Sequence, residues 1–495
     1  MFWADMSEKT SSAALWEAFH ARTRGLGDRT AVSTATEKLT FDALWAEADR
    51  LASLFAGAGV VEGAVAALAV RNSPRFVTAF LALCRLDAGV ALLSPQYGPS
   101  EVSTLVTGTG ASCIVTDADL APGIAAAVPM SRSSAVGGLE VLIPANRKEG
   151  PAQSAALLKF SSGSTAEPKG IALSSANVIA EVENITRTLG VGEGDRILAG
   201  VPLFHSYGFD LGVLPTLHAG STLVLEDVFV PRRTLAALTD PKIAVFLGVP
   251  AQYRAFLATR LDAPFDLSGV QWLLSCTAPL APGVVTAFID RFGVPICQHY
   301  GSSETGAVTT HVRSEVHRRP QSVGRPMAGV RVTVADPDGF ALPPGTEGEV
   351  VVESGAVARG YVLGAPAGRS PFRAGSFWTS DLGLMDADGF LTVLGRRDAL
   401  INVGGLKVSP AEVAATLEAH PAVREAGVIG VPDSQGDEVP YAVVALSGSA
   451  DESDLIAHCR AALAEYKVPR RIEIRDELPR SASGKVRLTP EDLKG

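Results

Sequence analysis

A chain of 495 residues, 47% of them hydrophobic and 19% charged, exceeds the size at which a single core keeps growing, so two or more domains are expected. Its net charge of −10 excludes a general nucleic-acid binder, which needs a basic stripe to displace counterions from phosphates. The apolar runs at 52–70 and 76–93 are broken by Glu62 and by Arg85 and Asp87, so no membrane span is expected; residues 1–10 lack a leader pattern, and a cytoplasmic location is the default.

Cys84, Cys113, Cys276, Cys297 and Cys459 show no CxxC or CxxH spacing, so reduced thiols are expected rather than a disulfide framework or a zinc site. Through the first 300 residues, short runs rich in Val, Ala and Leu alternate with amphipathic stretches, the pattern of α/β units with buried strands. Residues 65–70 and 112–116 read as strands, and 74–86 as a helix between them, with Ser73 placed to cap it and Pro74 in its first turn. From residue 324 onward, short strands broken by Gly, Pro and Asp at 330–335, 348–352 and 390–393 suggest a meander or barrel-like unit. The last hundred residues read as a small α+β unit. Ser409, Pro410 and Glu412 form a capping box for a helix through Val413, Ala414 and Leu417; strands at 426–431 and 441–446 flank a Gly436-Asp437 turn; a second helix covers 454–464. The expected fold class is α/β, with a large N-terminal domain of α/β subdomains plus a β-barrel-like subdomain (1–395) and a small α+β C-terminal domain (399–495).

The most informative segment is Ser161-Ser162-Gly163-Ser164-Thr165-Ala166-Glu167-Pro168-Lys169-Gly170, directly after a mostly apolar run. N–H and hydroxyl groups there can donate to a polyphosphate while Lys169 neutralises charge. Its glycines are wrongly spaced for a Walker loop, and by chemistry alone it also reads as a plain flexible loop.

This segment resembles the phosphate loop of the adenylate-forming superfamily of acyl-CoA synthetases, luciferases and peptide-synthetase adenylation domains. Matching pieces follow in the family's order. Pro202-Leu203-Phe204-His205 resembles the acid-pocket motif, Gln298-His299-Tyr300-Gly301-Ser302-Ser303-Glu304 the adenine and metal motif, and Trp378-Thr379-Ser380-Asp381 the ribose motif. Gly395-Arg396-Arg397-Asp398 resembles the hinge, and Pro479-Arg480-Ser481-Ala482-Ser483-Gly484-Lys485 the C-terminal lysine motif. Each alone is weak, but together and in order they make chance similarity improbable.

The resemblance implies ATP-dependent activation of a carboxylic acid to an acyl-adenylate with pyrophosphate release, then thioester formation with coenzyme A. Attack of a carboxylate on the α-phosphorus joins two anions, so positive charge is needed where negative charge gathers. By resemblance Lys485 supplies it, Glu304 and Thr165 hold Mg²⁺, and Ser161, Ser162, Gly163, Ser164, Thr165 and Lys169 hold phosphates. Thr277-Ala278-Pro279 admits adenine to the backbone, His299 to Ser303 line the nucleotide with Tyr300 offering a flat face, and Asp381 and Arg396 take the ribose. By the same resemblance, His205 is expected between the acyl carboxylate and the thiol entrance, the small domain is expected to swing about a hinge at 396–398 through Asp398, and Gly404-Gly405 to pass the pantetheine arm, with Lys407 as a phosphate contact. Without the resemblance, Lys485 reads as a solvated tail lysine, Glu304 as a surface carboxylate, His205 as a core histidine and Gly404-Gly405 as a turn.

The expected acid pocket (His205, Ser206, Phe209, Gly212, Val249, Cys276 and Gly301) is small and largely apolar, which suits a fatty, aryl or other hydrophobic acid. Asp210 raises amino-acid activation as a rival, because adenylating relatives bind the ammonium with an aspartate nearby, but their Phe-Asp-x-Ser context is not reproduced in 209–212. A separate phosphopantetheinyl carrier protein could take the acyl group in place of coenzyme A. A scaffold without turnover is also conceivable, but the retention of Lys485, Glu304 and Asp381 argues against it. Ala166, Ser303 and Ser380 replace the family's usual glycine, threonine and glycine. Ser175 stands where many relatives have histidine, and Cys276 where a glycine or alanine is more frequent.

Overall fold

The structure is a computed structural model that describes residues 11–146, 152, 155–162, 168–261, 264–365, 370–373, 375–403, 406–432, 438–480, 486 and 488–493. The helix Phe41–Ala58 shows how sequence pattern becomes packing. Phe41, Leu44, Trp45, Ala48, Leu51, Ala52 and Phe55 fall on one buried face, Thr40 accepts the Ala43 N–H at its start, and Gly59, at φ 105°, ends it. It packs on the helix Pro74–Arg85. Ser73 does not cap that second helix: its hydroxyl donates to the Arg71 carbonyl at 3.1 Å and so faces away from the helix N–H groups.

The continuous apolar runs become strands covered on both faces. One sheet of eight runs in the order Gly360–Leu363, Pro168–Leu173, Leu157–Ser162, Gly89–Leu92, Val65–Ala69, Cys113–Asp117, Leu139–Pro144 and Met130–Val136. A second, of nine, has a parallel centre made of Ile296–Ser302, Trp272–Ser275, Ile243–Gly248, Arg196–Ala199, Thr222–Leu225 and Thr30–Ser33. One core joins the two sheets, from Leu68 and Leu157 on the first to Leu198 and Val245 on the second. The strands expected after residue 324 form a five-stranded antiparallel sheet of Val330–Ala335, Gly348–Ser354, Phe372–Arg373, Ser376–Met385 and Leu391–Arg396.

The small domain has a core of its own, with Val413, Leu417, Val428, Ala442, Leu455 and Cys459 between helices Pro410–Glu418 and Glu452–Ala462 and the sheet Val423–Pro432, Glu438–Leu446 and Arg471–Arg475. The second helix begins two residues before the expected 454 because Asp451 caps it, accepting the Asp454 N–H at 2.9 Å. Only half of the expected capping box forms at the first. Ser409 accepts the Glu412 N–H at 3.4 Å, but the Glu412 carboxylate turns to Lys467 at 2.7 Å. The Gly436-Asp437 turn lies outside the described residues. Across the domains, Arg254 of the helix Pro250–Ala258 pairs with Glu418 at 3.5 Å and Glu425 at 3.7 Å. No helix among the described residues is long and apolar enough to cross a membrane.

Phe256 is fully buried, with its ring against those of Phe229, Phe246, Tyr253 and Phe288. Phe256→Ala is expected to cost about 3–5 kcal/mol, read as an earlier unfolding transition of the large domain. An unchanged transition would contradict this packing.

Candidate active site

The hydroxyl-rich segment joins two paired strands. Ser161 lies opposite Lys169 and Ser162 opposite Pro168, while Gly163, Ser164 and Thr165 lie outside the described residues. The strand Gly360–Leu363 adds to the edge of this hairpin, with Tyr361 opposite Ile171. That register sets Lys169 Nζ 5.5 Å from the centroid of the Tyr361 ring, while the Tyr361 hydroxyl donates to Glu304 Oε1 at 2.9 Å. Burial raises the Tyr361 phenol well above its ordinary range, the Glu304 charge adds to this, and Arg396 opposes it.

A second phenol does the same. Tyr300, on the strand Ile296–Ser302, donates to Asp381 Oδ2 at 2.5 Å; burial and then the Asp381 charge raise its phenol, with Arg396 again opposing. Asp381 and Arg396 are cross-strand partners. One guanidinium therefore acts on both phenols, which brings Lys169, Glu304, Tyr300, Asp381 and Arg396 to one region. Gly301 permits the tight hairpin beneath it, because a Cβ there would lie 2.4 Å from the Gly306 carbonyl oxygen.

The segment after Pro202 joins this region through Ser206, whose Oγ lies 2.8 Å from Ser303 Oγ. His205 Nδ1 accepts the Tyr207 N–H at 3.2 Å and opens a short helical turn. The Tyr207 ring stacks on His299, whose Nδ1 meets Thr310 Oγ1 at 2.8 Å. Burial lowers His299 from the ordinary 6.5 to about 4 and keeps the ring neutral.

Two residues other than glycine take left-handed backbone here, Thr277 at φ 75° and Ser380 at φ 62°. Thr277 opens the Thr277-Ala278-Pro279 segment, and Ser380 precedes Asp381, so this strain falls beside residues expected to bind nucleotide. The Ser380 N–H donates to Glu349 Oε1 at 3.1 Å, and Glu349 Oε2 accepts from Arg397 at 2.8 Å, which ties the expected hinge to the ribose strand.

Other expected site residues have different surroundings. Phe209 is fully buried, edge-on to Phe76 and Phe80, and a Cβ on Gly212 would meet Leu223 and Leu247; both positions face the core. Val249 occupies the N-cap position of the helix Pro250–Ala258, just after Gly248, which pairs with buried Ser275; Cys276 is partly exposed. Asp210 is held by Lys159 at 2.6 Å, so its carboxylate is not offered to an ammonium group. Gly404, Gly405 and Lys485 lie outside the described residues, as do the side chains of Ser162, Asp398 and Lys407.

Sequence reasoning missed Tyr361 and Asn72. Asn72 accepts the Leu203 N–H at 2.8 Å and donates to the Val201 carbonyl at 2.9 Å, so one amide holds both sides of Pro202. No local spacing signals either residue.

The AMP-binding enzyme family matches residues 19–362, and the AMP-binding enzyme C-terminal domain matches residues 412–485. The chain belongs to the AMP-binding enzyme family. It is 32% identical over 467 residues to a feruloyl-CoA synthase of an Amycolatopsis species, covering 92% of this chain and 94% of that protein. It is 32% identical over 462 residues to the 2-succinylbenzoate–CoA ligase of Geobacillus kaustophilus, covering 93% and 94%. Its fold is similar to that of the o-succinylbenzoate coenzyme A synthetase of Bacillus subtilis in complex with ATP and magnesium ion, with a TM-score of 0.83, 27% identity, and 95% and 98% of the two chains covered.

Asn72→Ala in this AMP-binding enzyme leaves the Leu203 N–H and the Val201 carbonyl without their partner. The expected cost is about 1–3 kcal/mol, read as a lower thermal midpoint; an unchanged midpoint would contradict the clamp. His299 acts on pH dependence. The folded ring titrates near 4 and the unfolded one near 6.5, so its contribution is present above 6.5 and is lost as pH falls toward 4. His218, lowered by burial to about 4, acts in the same sense. The thermal midpoint should fall across that window and fall less in His299→Gln; a midpoint that rises on acidification would contradict this.

Proposed function

We propose that this AMP-binding enzyme activates a hydrophobic carboxylic acid as its acyl-adenylate and transfers the acyl group to coenzyme A. The carrying observation is the convergence of Lys169, Glu304, Tyr300, Asp381 and Arg396 on one region through Tyr361 and the Asp381–Arg396 pair. Names of relatives that are CoA ligases, and a solved neighbour holding ATP and magnesium, support the same reading.

In this reading Asp381 accepts the ribose hydroxyls, Tyr300 lies against adenine and keeps Asp381 in place, and Ser161, Ser162, Ser164, Thr165 and Lys169 hold the phosphates. The carboxylic acid enters beside His205, Ser206, Val249 and Cys276. Among the described residues no cluster of three or more His, Cys, Asp or Glu could hold a metal by itself. A single buried carboxylate, Glu304, nevertheless fits Mg²⁺, which takes one or two carboxylates and completes its shell with phosphates and water. Glu304 and Thr165 would hold the ion, which supplies charge neutralisation between phosphates. Tyr361 holds one Glu304 oxygen, Oε1.

Lys485 donates to the α-phosphate and acyl oxygens as negative charge gathers there. The chain divides at 396–398, so that 1–395 binds nucleotide and acid, while 399–495 carries Lys485 and, on another face, Gly404, Gly405 and Lys407 for the pantetheine arm. Rotation about Asp398 exchanges the two faces, and the separate small-domain core is compatible with such motion. A cytoplasmic location belongs to the same reading.

Lys485→Ala is expected to lower ATP/pyrophosphate exchange with a hydrophobic acid by about 100-fold or more while sparing thioester formation from supplied acyl-adenylate. Intact exchange in that variant would overturn the assignment. Label moving only to a holo-carrier protein, and not to coenzyme A, would replace the acceptor.

A further inference from the structure

A buried charged cluster is not used by the adenylation reading. Lys159, Glu181 and Asp210 are 2%, 1% and 2% exposed. Lys159 Nζ donates to Asp210 Oδ2 at 2.6 Å and to Glu181 Oε2 at 3.1 Å. With both carboxyls ionised, the cluster would carry one cation, two anions and a net buried negative charge, which is costly. The second oxygen of each carboxyl, Glu181 Oε1 and Asp210 Oδ1, is buried without a conventional partner. Both carboxyls bond the same ammonium and so lie close together, and one proton on the pair would bring the cluster to neutrality. Burial, followed by the Glu181 charge, pushes the Asp210 carboxyl well above its usual range, and the Lys159 charge opposes this.

The elements joined are those that build the site. Lys159 stands two residues before Ser161 on the strand leading into the hydroxyl-rich segment, and Glu181 lies on the helix Ser175–Leu189 that follows the return strand. Asp210 lies on the turn Phe209–Val213 behind His205. Glu181 Oε1 also lies against Gly306, two residues beyond Glu304, where a Cβ would come within 2.5 Å of it.

We propose that Asp210 and Glu181 share one proton across their two otherwise unpartnered oxygens, so that Lys159 closes a neutral clamp that positions the phosphate segment against the acid pocket. The bonding closes as a ring. Lys159 donates to Asp210 Oδ2 and Glu181 Oε2, and the protonated Asp210 Oδ1 donates to Glu181 Oε1. Its positioning role rests on the ligase reading above; the shared proton does not.

Infrared spectra of the full chain at neutral pH test the proton directly. The wild type should show a protonated-carboxyl band that both Asp210→Asn and Glu181→Gln remove, since either amide leaves one carboxylate to balance Lys159. These single variants should melt close to wild type, whereas the double amide variant, which strips Lys159 of its anion, should melt several degrees earlier. Positioning is read in the apolar triple variant Lys159→Met, Glu181→Leu, Asp210→Leu, a type of replacement that commonly keeps stability. Its ATP/pyrophosphate exchange should fall about tenfold or more in kcat/KM while thioester formation from supplied acyl-adenylate stays within about twofold. A wild type without the band, or a triple variant exchanging at the wild-type rate, overturns the inference. A wild type that activates no acid overturns the ligase reading, and the band still decides the proton.

Discussion

Two phenol-to-carboxylate hydrogen bonds tie three sheets together, Tyr300 to Asp381 at 2.5 Å and Tyr361 to Glu304 at 2.9 Å. Each crosses between sheets. Tyr300 belongs to the nine-stranded sheet and Asp381 to the antiparallel one; Tyr361 belongs to the eight-stranded sheet and meets Glu304 just past the end of Ile296–Ser302. A buried carboxylate without a donor would be costly, so these contacts fix the mutual register of three sheets as well as the carboxylates themselves. Arg396 completes the arrangement, because its charge reaches both phenols from the last strand before the small domain.

The candidate site thus lies where sheets meet, and its carboxylates Asp381 and Glu304 each accept a phenol. Tyr300 preorganises Asp381, Tyr361 preorganises Glu304, and Asn72 fixes the backbone on both sides of Pro202. The buried Lys159 cluster extends this support one layer deeper. The same pairing accounts for Asp210: Lys159 occupies the carboxylate that would otherwise recommend an amino-acid substrate.

Much of the fold was legible because local pattern and tertiary packing agree. The strand Val330–Ala335 runs as expected, and the helix Pro74–Arg85 ends one residue early. Ser380 shows why a motif position matters physically: this backbone takes φ 62°, which serine adopts only with strain. Tyr361, Asn72, Lys159 and Glu181 were not legible, since Tyr361 and Glu304 lie 57 positions apart, Asn72 and Leu203 131, and Lys159 and Asp210 51. No short motif records such meetings. Phe209 illustrates another limit, because an apolar residue lining a pocket and one packed in the core behind it read alike.

The most direct test of a shared cleft is a crystal structure with a non-hydrolysable acyl-adenylate analogue. The ribose hydroxyls should bond Asp381, the phosphoryl group should lie between Lys169 and Glu304, and the acyl chain should run past His205 toward Val249. An analogue bound away from both Asp381 and Glu304 would contradict the account.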